Sequence, residues 1–442
     1  MSRFVSAMFL LAPVSPVLAG SIQRVNVDPA TQTQADAASS APALSADGSV
    51  VAFLSGATNL IAGYGLTSAS PQQVYAYDRI ANAIEIVSVA NDNAIADGPC
   101  VKPLVSADGR YVAFLSGADN LPAAGSGASG GGGTIYIRDR QSHTTFMPMR
   151  DWLPAQPSIT GAVDTSYLHH YMNADASLLV FNYSSLALAH NVYTIQASAG
   201  ASALLAACPA ADGDGCQGPA ISADGSTIAF TAADALVGGD TNGHADVYAY
   251  DVAAQTYTRV SIDADGITQG NADVSPGDIA LSADGKLVAF SSGSADNLGG
   301  FGLPNLLLVK NLASGALVLA SMNDDGTPGY VGHPAPTLSA DGSRVTFTSN
   351  NLALAPHPGK TASDALVRDM STGHLFSVCQ ADSGTYGDND CSDATLSSDG
   401  HWAAFTSTAT NLVANDTNGQ ADIFLVALDT RADTIFVYGF EL

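Results

Sequence analysis

The chain is 442 residues long and sets 41 acidic side chains against 15 basic ones, a formal net charge of −26. That balance excludes nucleic acid and anionic membrane surfaces as partners, since both are held by clustered Lys and Arg. Every acidic residue except Glu85 and Glu441 is an aspartate; Asp is the turn former, so much of the surplus is turn chemistry rather than a need for charge.

Residues 1–19 carry Arg3, an apolar run broken by Pro13 and Pro16, and Val17-Leu18-Ala19 before Gly20. This reads as a signal peptide, too short and too interrupted to span a membrane, and it predicts export to the periplasm or beyond. No cysteine follows the cleavage point, so a lipoprotein-type anchor is not expected. No later stretch is long and apolar enough for a membrane helix. Residues 22–27, Ile-Gln-Arg-Val-Asn-Val, look like a fourth strand with no first three before it.

From Leu44 the sequence keeps returning to one unit: apolar residue, Ser, any residue, Asp, Gly, then a short run ending in Phe. Its aspartates are Asp47, Asp108, Asp175, Asp224, Asp284, Asp341 and Asp399, and its phenylalanines Phe53, Phe114, Phe181, Phe230, Phe290, Phe347 and Phe405. Ser and Asp side chains bind nearby backbone and Gly accepts positive φ, so Ser-x-Asp-Gly predicts a tight turn between a first and a second strand. Third strands follow variable loops, as in Val74–Asp78 and Val247–Asp251, and fourth strands follow short turns, as at 84–89 and 257–262. Four antiparallel strands per unit, repeated at this spacing, predict an all-β chain: a seven-bladed β-propeller over residues 20–430. An open β-solenoid or stacked sandwiches are the alternatives. The last unit has no clear fourth strand, so the lone strand at 22–27 is expected to close the ring against 423–427.

The repeat Ser-Ala-Asp-Gly-x-x-Val-Ala-Phe, with its Asp-Val-Tyr-x-Tyr-Asp strand, resembles the TolB-type, WD-repeat-like propellers of bacterial envelope and secreted proteins. The resemblance spans roughly residues 22–430. Blade three departs from it, with Asn173-Ala174-Asp175-Ala176. What the resemblance implies is fold, since that family hosts many functions.

Five cysteines suit an exported chain. Cys100, Cys216 and Cys391 all precede their turn aspartate by eight residues, and the position matching Cys379 in Cys100's blade holds Ser88. The alignment predicts Cys208–Cys216 and Cys379–Cys391 disulfides with Cys100 unpaired; zinc is a weaker reading, for want of CxxC spacing. Two loops share a motif, Asp240-Thr-Asn242-Gly243-His-Ala-Asp246 and Asp416-Thr-Asn418-Gly419-Gln-Ala-Asp422. Alternating oxygen ligands around a glycine resemble part of a calcium loop, so Ca2+ is a candidate cofactor held by Asp240, Asn242, Asp246, Asp416, Asn418 and Asp422. An Asx turn entering the third strand explains the same residues and is preferred.

The glycine-rich stretch 125–133 contains Gly127-Ala-Ser129-Gly-Gly131, formally a nucleophile elbow, but without the strand and helix that chemistry needs. His169-His170 has no acid or cysteine at ligand spacing. Residues 431–442 form a tail outside the repeat. No catalytic or cofactor-binding residue is assigned. The function expected is therefore binding or scaffolding: an exported, monomeric, non-enzymatic propeller whose ligand, a protein or carbohydrate, docks on the face carrying the long loops. The alternative is a propeller enzyme acting on glycans, a hydrolase or lyase, using carboxylates near the central channel.

Overall fold

The computed structural model describes residues 22–122, 133–148, 162–163, 171–185, 188–196, 202–203, 215–293, 297–300, 302–331, 335–351, 354 and 363–428. The signal-peptide reading, most of the glycine-rich loop, His169-His170, Cys208 and the tail lie outside these residues. The described residues form 28 strands, β1 to β28 in chain order, and no α-helix.

Blade one is β2 (Ser39–Leu44), β3 (Val50–Ser55), β4 (Gln73–Asp78) and β5 (Ala83–Ile86). Blade two is β6 (Cys100–Val105), β7 (Tyr111–Ser116), β8 (Thr134–Asp139) and β9 (Thr144–Phe146). Blade three is β10 (Ala162–Val163), β11 (Leu178–Ser185), β12 (Leu188–Gln196) and β13 (Ser202–Ala203). Blade four is β14 (Gln217–Ile221), β15 (Thr227–Ala232), β16 (Asp246–Asp251) and β17 (Thr256–Arg259). Blade five is β18 (Ile279–Leu281), β19 (Leu287–Ser291), β20 (Leu307–Asn311) and β21 (Leu317–Leu319). Blade six is β22 (Thr337–Leu338), β23 (Arg344–Ser349), β24 (Asp364–Asp369) and β25 (Leu375–Ser377). The last sheet runs β26 (Cys391–Leu396), β27 (Trp402–Ser407), β28 (Asp422–Ala427) and β1 (Gln23–Arg24). All are four-stranded and antiparallel, the architecture of a propeller. Six are described with their side chains throughout. In blade three the outermost strands, β10 and β13, are two-residue pairings described in backbone only.

The repeated turn is built as its residue types require. Ser45 Oγ accepts the Val50 N–H at 2.9 Å and donates to Asp47 Oδ1 at 2.9 Å, which also takes the Ser49 N–H. Gly48 sits at φ 64, and a Cβ there would stand 2.5 Å from Trp402 Cγ in the adjoining blade. Glycine is required twice over, for conformation and for close approach. In blade three Asn173 Oδ1 takes the Leu178 N–H in place of the serine, and Ala176 adopts φ 57 where the others have glycine.

These turns are bonded to one another. Ala46 N donates to Ala107 O, Ala107 N to Ala174 O and Ala174 N to Ala223 O. Asp224 N then donates to Ala283 O, Ala283 N to Ala340 O, Ala340 N to Ser398 O, and Asp399 N back to Ala46 O. One main-chain hydrogen bond thus passes from each turn to the next until the circle is complete.

The core lies between blades rather than within them. Each cluster is shared by neighbours; Val51, Phe53 and Tyr75 of blade one pack with Val25, Ala404, Ile423 and Leu425 of the last. Within blades, the motif phenylalanine stacks on the third strand: Phe53 on Tyr75, Phe114 on Tyr136, Phe181 on Tyr193 and Phe405 on Phe424, at centroid distances of 5.7, 5.9, 5.9 and 5.6 Å. Closure occurs where the sequence placed it. Gln23 pairs with Leu425 and Arg24 with Phe424, while Val25 N donates to Ile423 O at 2.9 Å. The fourth strands are shorter than the sequence suggests, because Val87 and Ser88, like Val260 and Ser261, both turn their N–H onto one third-strand carbonyl.

Candidate functional site

The two Asp-Thr-Asn-Gly loops enter the third strands β16 and β28, and each surrounds an arginine from its own blade's fourth strand. Arg259 Nη1 lies 2.9 Å from Asp240 Oδ1 and 3.6 Å from Asp246 Oδ2; Arg24 Nη1 lies 3.1 Å from Asp416 Oδ1 and 3.2 Å from Asp422 Oδ2. All six side chains are at least nine-tenths buried. Asn242 and Asn418 donate to Asp246 and Asp422, Ser261 Oγ donates to Asp246, and the Tyr248 hydroxyl donates to Asp240. Gln269 and Gln34 clamp the loop backbones, accepting the N–H groups of Thr241 and of Thr417 and Asn418.

Burial pushes the Asp246 carboxyl up, and burial together with Asp422 pushes Asp416 up. The cation between these carboxylates is a guanidinium, which a calcium ion would have to displace. Among the described residues no group of three or more His, Cys, Asp or Glu is placed to hold a metal. The oxygens proposed as ligands are engaged as turn caps and ion pairs, the geometry of the Asx reading.

Cys379 and Cys391 are disulfide-bonded with Cα atoms 6.1 Å apart. Cys216 is also disulfide-bonded, its expected partner Cys208 lying outside the described residues. Cys100 is free and buried, and burial pushes its thiol up to about 11. Its Sγ meets Ser116 Oγ at 3.4 Å. Ser88, which takes the Val74 N–H at 2.9 Å, holds the place of Cys379.

The loop face contains a recurring clasp that sequence reasoning missed. Asp36 N donates to Asn59 Oδ1, Thr58 N donates to Asp36 Oδ1, and Asn59 Nδ2 returns to Gln34 O at 2.7 Å. Asp97 with Asn120 and Asp388 with Asn411 repeat it. Its signal is an Asn-Leu pair after the second strand, at 59–60, 120–121, 297–298 and 411–412, with the leucine buried each time. Each clasp ties a second-to-third connection to a fourth-to-first connection, so the long loops form a supported surface. Tyr330 and Tyr386, on fourth-to-first connections of that surface, are exposed at 43 and 39 %.

The first strands line a central channel. At its turn end, the apolar residue before each turn, Leu44, Val105, Met172, Ile221, Leu281, Leu338 and Leu396, contributes to one cavity of about 170 Å³. A second cavity of about 180 Å³ continues from it, sharing Ala43, Leu104, Thr337 and Thr395, and adds Lys102 and Asp393 to the wall.

A ring of four-stranded antiparallel blades around a central channel, with short bonded turns on one face and clasped loops on the other, defines a β-propeller protein. An oligogalacturonate lyase solved in complex with manganese is similar in structure, at TM-score 0.56 and 12% identity, covering 93% of this chain and 97% of that one. The propeller domain of the Trilobed protease from Pyrococcus furiosus matches at TM-score 0.53 and 11% identity over 88% and 95% of the two chains. TolB from Acinetobacter baumannii overlaps at TM-score 0.40 and 17% identity over 82% and 77%. At these identities the likeness is one of fold. No protein-family model matches the chain, and no curated protein is similar to it in sequence.

Proposed function

We propose that this is an exported binding propeller of seven blades whose partner, a protein or carbohydrate, docks on the loop face around the channel mouth. The observation that carries the reading is the contrast between the two faces. On the turn face, side chains and backbone of the Ser-x-Asp-Gly units are spent on each other and on the bonded circle. On the loop face, the clasps and the Cys379–Cys391 disulfide stiffen the connections while Tyr330 and Tyr386 stay exposed. A pre-ordered surface with exposed aromatic side chains binds at low entropic cost.

The test is alanine replacement on both faces, read against a partner captured by crosslinking to the full chain. Losses on Tyr330→Ala and Tyr386→Ala are expected, with Asp47→Ala and Asp341→Ala without effect on binding once folded. Losses confined to the turn-face variants would overturn the proposal.

The second reading is a glycan-directed enzyme using channel carboxylates, and Asp393 in the channel wall is the observation that favours it. Turnover of an oligogalacturonate by the chain, abolished in Asp393→Asn, would establish that reading over the first.

A further inference from the structure

Five blades place a left-handed residue at the same position of the channel strand: Ala41 (φ 52), Lys102 (φ 55), Gly218 (φ 58), Ala335 (φ 41) and Asp393 (φ 52). In β2, β6, β14 and β26 this position falls in a bulge, where the pairing to the second strand shifts register. Any residue but glycine costs about 1 kcal/mol or more here, and such strain is retained where the surroundings gain from it. Three of the five are Ala or Gly. The other two carry opposite charges, on the two blades that flank blade one, and both line the cavity of about 180 Å³.

Among the described residues no close salt bridge joins Lys102 to Asp393; against the effect of burial, which lowers the Lys102 pKa, the Asp393 carboxylate acts on the ammonium at longer range to raise it. Asp393 Oδ2 takes the Thr406 hydroxyl at 3.0 Å and lies 3.4 Å from Ala41 N, while Oδ1 has no donor among the described residues. Asp278, at the corresponding place in blade five, is buried and does not line the cavity. The channel wall here thus holds one cation and one anion, close enough to interact, among Ala, Pro, Leu and Thr.

We propose that this centre binds a small zwitterion of the α-amino-acid type, its carboxylate on Lys102, its ammonium on Asp393, and its side chain directed to the apolar collar below. A simple carboxylate would face Asp393 and a simple amine would face Lys102, so only a ligand bearing both charges is complementary to the pair. The cavity is the size of roughly six waters at about 30 Å³ each, room for one amino acid in their place. Burial pushes the Lys102 ammonium below its usual pKa, a desolvation that a bound carboxylate would reverse. This site stands apart from the loop-face reading and neither depends on the other.

The experiment is calorimetry of the full chain with L-leucine, compared with 4-methylpentanoate and 3-methylbutylamine, each of which lacks one charge. Saturable heat is expected for leucine, with each half-molecule weaker by about tenfold or more. Lys102→Gly is expected to abolish leucine binding and yet raise Tm, because glycine fits φ 55 without strain. Lys102→Gln keeps a long side chain without the charge and should also lose binding. Half-molecules binding as well as leucine, undiminished leucine binding in both Lys102 variants, or no saturable heat from alanine, leucine or phenylalanine would overturn the proposal.

Discussion

The repeated aspartates do their work as hydrogen-bond acceptors. Burial alone would raise the carboxyls of Asp47 and Asp224, but hydrogen bonds from Ser49 and Ser45, and from Ser226 and Ser222, outweigh it and leave both below the usual range. Asp175 and Asp341 are held low chiefly by Ser177 and Ser343, and Asp284 is held to about 2 by Lys286. A carboxyl whose folded pKa is depressed adds stability that is complete above its unfolded value, about 3.9, and is lost as pH falls through the folded one. The urea midpoint should therefore stay nearly level from pH 7 to 5 and drop between about pH 4 and 2, with a shallower drop in Asp47→Asn. A midpoint independent of pH down to 2 would contradict this account. The glycines separate by environment in the same way. Gly48→Ala must press a methyl into Trp402 and should cost about 2 kcal/mol or more, whereas Gly266→Ala, with open space around it, should cost only its backbone term of about 1.

At the scale of elements, the arginine between paired aspartates holds an outer strand to its blade. Arg24→Ala leaves Asp416 and Asp422 buried without a counter-charge, a change that costs about 3–5 kcal/mol. Equilibrium unfolding should show this loss, and Arg259→Ala should match it. Cys100 offers a constructive test. Ser88 and Cys100 are 12 residues apart, the separation of the bonded pair Cys379 and Cys391, so Ser88→Cys should form a further disulfide worth up to about 3 kcal/mol, less the lost Ser88 hydrogen bonds. Non-reducing peptide mapping of the Ser88→Cys variant that finds Cys100 still unlinked would refute the alignment.

Strand order and the turn were readable because each is local and repeated, and the closing strand because an unpartnered strand at 22–27 answers a last unit that lacks its fourth. The clasps and the split motif were not. Arg24-Val with Gln34 copies Arg259-Val with Gln269, but in the last blade its loop lies almost 400 residues away, at Asp416. Lys102 looked like any strand residue; nothing in its neighbours announces a left-handed bulge facing a channel, although proline follows at 42, 103, 219 and 336.

For the molecule as a whole, charge and covalent links make the testable statements. Thiol labelling of the denatured, unreduced chain should mark Cys100 alone, and a second labelled site would show that the pairing is wrong. Calcium should give no calorimetric heat and no change in Tm, since Arg24 and Arg259 already occupy the carboxylate pairs. A saturable heat lost in Asp240→Asn would return the loops to the metal reading.

The pairing of β1 with β28 has a consequence for gene order. Because the first described strand and the last third strand are neighbours in one sheet, the starting point of the chain within the circle is a choice rather than a requirement. A circular permutant joining residue 430 to residue 22 through a short linker, and opened inside the glycine-rich loop at 125–133, keeps every blade's strands in place and restores the seam as a continuous hairpin. It should refold to the same ring of sheets, and unfold later than the native order, because the two-residue pairing at its seam has become a covalent neighbour.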